Sequence, residues 1–218
     1  MLLESLRFAS YLAYVPRDGG GTLGEQSRSL MQKLKNGTQS GSPPHSIPWG
    51  VVSAIIHRGL ANDLFSEFFG TDRVLVPVPS SSLHREGSLW VPDDLAHELV
   101  DAGLGGRVAH LLERTIAIPK SATSISSERP NAQRHYETMR VRKDLFPAQE
   151  ILLVDDVVTT GGVMLGSANR LCESYPDSTI RGFAAMRTIS QPLSFSSWNA
   201  PVTGQITLDA NGRCRRNP

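Results

Sequence analysis

Two adjacent carboxylates, Asp155 and Asp156, stand between the apolar run Ile151-Leu152-Leu153-Val154 and the segment Val157-Val158-Thr159-Thr160-Gly161-Gly162. An unbroken apolar run of this length predicts a strand buried on both faces of a parallel sheet. Such a strand delivers its acids to its carboxyl end, where ligands of open α/β sheets bind. The Thr-Thr-Gly-Gly segment predicts a tight turn that opens a helix. Its glycines permit unusual backbone angles, its threonines offer hydroxyls, and the helix start presents free N–H groups to an anion. Two carboxylates beside a phosphate cradle would repel a bare phosphate, so they suit another part of the same ligand, such as the hydroxyls of a ribose.

Other candidates are weaker in pattern. Ser80-Ser81-Ser82 follows Arg73-Val-Leu-Val-Pro-Val-Pro79, and no GxSxG elbow surrounds it, so a serine nucleophile is not encoded. Arg129, Arg134, Arg140, Arg142 and Lys143 lie within 15 residues whose only acid besides is Glu137, a composition suited to phosphate or to a solvated hairpin. Arg114 and Lys120 stand alone. The six histidines, at 45, 57, 84, 97, 110 and 135, show no HExxH or other ligand spacing and are read as surface or core residues. A pair of acids at a strand end also occurs in receiver domains, but there the acids sit on an early strand with no Thr-Thr-Gly-Gly behind them.

These residues need a framework. The prolines of Arg73–Pro79 predict a strand that ends in a turn. Pro92-Asp93-Asp94 predicts a helix start with its stop at Gly103. A helix after Gly162 would bury Met164, Leu165, Ala168, Leu171 and Cys172, and Thr179–Met186 reads as the next strand. Strand, helix, strand at this spacing is a βαβ unit, so the fold class is α/β with a parallel sheet. Before residue 71 the pattern is helical: Glu25–Lys35 with Leu30, Met31 and Leu34 on one side, then Leu60, Leu64, Phe65 and Phe68 ending near Gly70. Residues 16–24 and 36–48 are Gly/Ser/Pro-rich connectors. The chain therefore divides into a helical flank, 1–70, a core, 71–190, and a C-terminal strand or tail, 191–218.

Charge and composition exclude several classes. Lys plus Arg number 22 and Asp plus Glu 21, for a net charge of +1, which argues against a generic nucleic-acid duplex-binding protein. No apolar run reaches the roughly 20 residues of a membrane span. The opening Met1–Val15 has Glu4 and Arg7 where a signal peptide needs a basic start and an uninterrupted apolar run. Cys172 and Cys214 are far apart, without CxxC spacing, so a cytoplasmic protein with reduced thiols is expected. The basic Arg213-Cys-Arg-Arg216 reads as a solvated tail.

The twelve residues Ile151–Gly162 resemble the phosphoribosyl diphosphate (PRPP) signature of type I phosphoribosyltransferases. The order Val-Pro-Val-Pro-Ser-Ser, Leu-Glu-Arg-Thr, Arg-rich stretch, Asp-Asp motif is similar to the ComF-like branch, over roughly residues 71–188. The resemblance implies a flexible flap, a small hood and a Mg2+-dependent glycosyltransferase of nucleotide metabolism that moves ribose 5-phosphate from PRPP to a small acceptor and releases pyrophosphate. It puts Asp155 and Asp156 on the ribose hydroxyls and Thr159, Thr160, Gly161 and Gly162 on the 5′-phosphate. Ser80, Ser81 and Ser82 would meet the pyrophosphate, with Mg2+ held mainly through PRPP rather than by the protein. The flap would run from Lys120 to Arg142, so that Lys120 and Arg129 join the two aspartates as catalytic candidates. A homodimer follows family habit, and residues 1–70 are left as hood or partner-binding flank. The alternative of the same fold is a non-catalytic PRPP-sensing regulator or effector. Two departures stand out: Val163 replaces the usual Thr, Ser or Ala, and no cysteine-rich metal segment precedes the core. Phe8, Tyr11, Tyr14, Trp49 and Trp198 are either core residues or stacking platforms for a base.

Overall fold

The computed structural model describes residues 3–16, 19–40, 45–85, 87–119, 130–144, 148–191 and 195–218. Its centre is a seven-stranded, mostly parallel sheet. The strands are β1 (Ser5–Tyr14), β4 (Arg73–Pro77), β5 (Arg107–Val108), β8 (Glu150–Val158), β9 (Thr179–Thr188), β10 (Asn199–Leu208) and β11 (Cys214–Asn217), in the order β11-β10-β1-β9-β8-β4-β5. β1, β9, β8, β4 and β5 run parallel; β10 and β11 extend the β1 edge antiparallel. Two short pairs complete the strands: β2 (Gln39–Ser40) with β3 (His45–Ser46), and β6 (Leu112–Arg114) with β7 (Met139–Val141).

Helices cover both faces. α1 (Gly21–Lys35), α2 (Ile47–His57) and α3 (Val91–Asp101) share one apolar cluster that includes Leu34, Ile55, Phe65, Leu95, Leu99, Leu152 and Phe183. α4 (Ala132–Glu137) and α5 (Gly162–Cys172) lie over the other, with Met164, Leu165, Ala168, Leu153 and Ile206. This is why Ile151–Val154 are all apolar: neighbours on β8 alternate between two buried layers and neither face meets water. Local signals set the helix starts. Ser46 Oγ accepts from the Trp49 N–H at 3.1 Å ahead of Pro48, and Pro92, Asp93 and Asp94 fill the first turn of α3.

The structure differs from the sequence reading in the flanks. Residues 5–14 are not part of a helical flank: β1 lies between β9 and β10, inside the sheet. Buried almost continuously from Phe8 to Tyr14, it lacks the alternation that would have marked it as a strand. The helix before Gly70 is α2, and Leu60–Phe68 follow it as turns that bring Phe65 and Phe68 into the core. Arg213–Arg216 is no solvated tail, since β11 pairs with β10 and the Arg216 guanidinium lies 5.7 Å from the centre of the Phe8 ring. Phe8, Tyr11 and Tyr14 are core residues, whereas Trp49 and Trp198 are partly exposed. No described helix is long and apolar enough to cross a membrane.

Candidate functional site

The chain leaves β4 toward β5 on one side and leaves β8 toward β9 on the other. β4 and β8 are neighbours in register from Arg73↔Glu150 to Pro77↔Val154, so the direction of winding reverses between them. At such a point the two outgoing loops part and leave a crevice at the carboxyl edge. One loop carries Ser80–Ser82 and the other Thr159–Gly162, with Asp155 and Asp156 between the apolar strand and the turn. The Val78 N–H continues the ladder by donating to the Val154 carbonyl at 2.9 Å. The serine loop is thereby tied to β8 one residue before Asp155.

β8 runs on through the acidic pair instead of ending there. Asp155 is buried, and its Oδ1 accepts from the Asp156 N–H at 2.8 Å; Asp156 Oδ1 accepts from the Val157 N–H at 2.7 Å. Burial, then the charge of Asp156, pushes the Asp155 carboxyl well above the usual carboxylate range, with Lys35 pulling it back. Lys35, in the last turn of α1, donates from Nζ to Asp156 Oδ2 at 2.9 Å. Burial works against its ammonium, but Asp156, helped by Asp155 and Tyr14, outweighs that and raises Lys35 above the usual lysine range. Nothing in the sequence pairs Lys35 with a residue 121 positions away; only the packing of α1 on the sheet does.

The Thr159–Gly162 turn is built on close contact. Gly161 has φ 90°, and a Cβ there would lie 2.6 Å from the Ile206 side chain. Arg216 donates from Nε to the Thr159 carbonyl at 2.8 Å and from Nη2 to the Thr188 carbonyl. Burial, and then Arg187, lower its guanidinium to about 10. The C-terminal strand thus braces the turn from behind. In front, a Cβ on Gly162 would lie 3.5 Å from the Pro130 carbonyl, which places the start of α4 beside the turn, one residue after Arg129. Val163, partly buried, packs at the edge of the apolar layer under α5.

The serine loop also has a support the sequence did not reveal. Arg114, buried, donates from Nε to the Ser80 carbonyl at 2.9 Å, from Nη1 to Thr138 Oγ1 at 2.7 Å and from Nη2 to the Pro79 carbonyl at 3.5 Å. Burial lowers its guanidinium to about 10. Buried His135 lies against it, with Nδ1 3.4 Å from Arg114 Nη2. Burial and the Arg114 charge lower this imidazole to about 3, so His135 is neutral at physiological pH. Ser80 Oγ lies 2.9 Å from the Ser82 carbonyl and 3.3 Å from Ser82 Oγ; Ser81 accepts from the Ile118 N–H through its carbonyl.

The basic stretch separates into parts. Arg140 on β7 and Arg142 just after it both pair with Glu113 on β6, at 2.9 Å each, on the exposed side of this strand pair. Arg134 is exposed on α4. Lys120 and Arg129 lie outside the described residues. Two surface cavities, of about 280 and 370 Å3, are lined by neither the aspartates, the Thr159–Gly162 turn nor the Ser80–Ser82 loop; Trp49 lines the first and Lys143 the second. His97 and His110 are surface residues, and both approach Asp93. No protein-family model matches this chain, and no curated protein matches it in sequence.

Proposed function

We propose that this protein is a phosphoribosyltransferase of the type I fold, binding PRPP at the β4/β8 crevice and transferring ribose 5-phosphate to a small acceptor. The observation that carries the reading is the meeting of Asp155-Asp156, the Thr159–Gly162 turn and the Ser80–Ser82 loop at one reversal point of the sheet. In this reading Asp155 and Asp156 accept hydrogen bonds from the ribose 2′- and 3′-hydroxyls, and the N–H groups of the turn meet the 5′-phosphate. The serine loop receives the pyrophosphate, held in place from beneath by Arg114. The carboxylates and hydroxyls at this edge are hard oxygen donors of the kind Mg2+ takes. Held mainly through the diphosphate, with the hydroxyls of Ser80–Ser82 at its side, Mg2+ would supply charge neutralisation for the departing pyrophosphate.

The chemistry asks for positioning more than for covalent help. The C1–O bond breaks with its electron pair leaving on pyrophosphate. The acceptor's lone pair forms the new bond to C1 from the opposite face, and the acceptor's proton passes to solvent. The Asp pair fixes the ribose ring, and Lys120 and Arg129 belong to the segment that would close over it and exclude water.

A second reading, a PRPP-sensing regulator, is favoured by the Lys35–Asp156 pair, because a ligand engaging Asp156 would act directly on α1. Calorimetric titration of PRPP with Mg2+ into wild type and Asp155→Asn/Asp156→Asn tests the site: binding in the wild type, lost in the double variant, is expected. No binding by the wild type refutes both readings. Pyrophosphate release across an acceptor panel then separates them, since a regulator binds PRPP and releases none.

A further inference from the structure

Asp93, His97 and His110 lie outside the crevice. Asp93 and His97 are one turn apart on α3, and His110 follows β5. Asp93 Oδ1 lies 2.7 Å from His110 Nε2 and 3.7 Å from His97 Nε2, and one ligand atom from each of the three residues lies within 4.8 Å of the others. Asp93 is half-buried and both imidazoles reach solvent. We propose that these three residues bind a borderline divalent cation of the Zn2+ class, with the rest of its coordination shell open to water.

The donor set argues for that class. Two imidazoles with one carboxylate suit Zn2+ and its neighbours, whereas Mg2+ prefers oxygen alone. Ligand atoms about 2.0–2.1 Å from a tetrahedral ion are roughly 3.3 Å apart. The 2.7 Å contact must therefore open and the 3.7 Å contact close, each by about half an ångström, which side-chain rotation supplies. Three protein ligands leave a tetrahedral ion one free position.

The scaffold around the cluster is fixed. Trp90, immediately before α3, donates from Nε1 to the Val78 carbonyl at 3.0 Å, and its ring centre is 5.2 Å from that of His110. Val78 leads into the serine loop, so the cation site and that loop share one support. The site lies at the carboxyl end of β5, two strands from β8, or roughly 10 Å by strand spacing. The proposal does not depend on the PRPP reading.

The test is a titration of the full chain, freed of metal by a chelator and without PRPP, with Co2+ read by its visible absorption and with competing Zn2+. One equivalent is expected to bind, Zn2+ displacing Co2+ and millimolar Mg2+ failing to. His97→Ala, His110→Ala and Asp93→Asn are each expected to weaken binding at least tenfold, with unchanged far-ultraviolet circular dichroism. His57→Ala and Cys172→Ser/Cys214→Ser should bind as the wild type does. Absence of saturable binding, wild-type affinity in His97→Ala and in His110→Ala, or displacement by Mg2+ would each overturn the proposal; in the first case His110 serves only as a hydrogen-bond partner of Asp93 and His97 only as its neighbour on α3.

Discussion

Asp155 is held in a state that costs stability. Its carboxyl titrates above its unfolded value, because burial and Asp156 both disfavour the charge. The folded chain thus holds a proton that the unfolded chain releases, and stability falls as pH rises from the unfolded value through the folded one. Asp155→Asn keeps the shape and an oxygen for the Asp156 N–H, so it should raise Tm at pH 7 by roughly 2–4 °C, or about 1 kcal/mol, while abolishing PRPP binding. Calorimetric melting beside the PRPP titration checks both halves. Lys35 makes a complementary prediction. Its charge opposes the upward push on Asp155, so in Lys35→Met Asp155 keeps its proton to higher pH. The acid limb of PRPP affinity should then lie at higher pH than in the wild type; a superimposable pH profile would refute that role for Lys35.

Among the elements, the turn into α5 and the short helix α4 are built on atoms that leave no room. Gly161→Ala would place a methyl group against Ile206 at φ 90°, a cost on the order of 1–3 kcal/mol, with weakened PRPP binding. Chemical denaturation and the same titration measure it. α4 abuts α5 at Gly166, where a Cβ would lie 2.6 Å from the Ala132 carbonyl, and this approach buries His135. With its folded value near 3, below the unfolded 6.5, His135 resists protonation. The unfolded chain takes up that proton first, so stability is lost as pH falls below about 6.5, by about 1–2 kcal/mol at pH 5. Urea denaturation of His135→Gln at pH 7 and pH 5 should show a smaller drop than the wild type.

Across the whole molecule, the termini close the sheet rather than decorate it. β1 bonds to β9 and β10, and β11 carries the arginine that braces the Thr159–Gly162 turn. Far-ultraviolet dichroism and tryptophan fluorescence should therefore report a single unfolding transition; two transitions would show that residues 1–70 fold apart from the rest. Phe183 lies at the centre of one layer, edge-on to Phe65 and Phe69. Phe183→Ala should cost about 3–5 kcal/mol in the same experiment. The contrast between what could and could not be read follows from range. Ile151–Gly162 announced a buried strand, an acid pair and a glycine turn because each signal is local, carried by neighbours in the chain. The α/β class followed from the strand, helix and strand that succeed one another there. β1 escaped notice because a strand covered on both faces has no alternation, and the C-terminal arginines looked like a tail because their partners are the distant Phe8, Thr159 and Thr188. Lys35 beside Asp156, Arg114 beneath the serine loop and the Asp93–His97–His110 cluster were decided by tertiary packing alone. The chain encodes each of those contacts at two or three separate places, and only the folded sheet brings them within bonding distance.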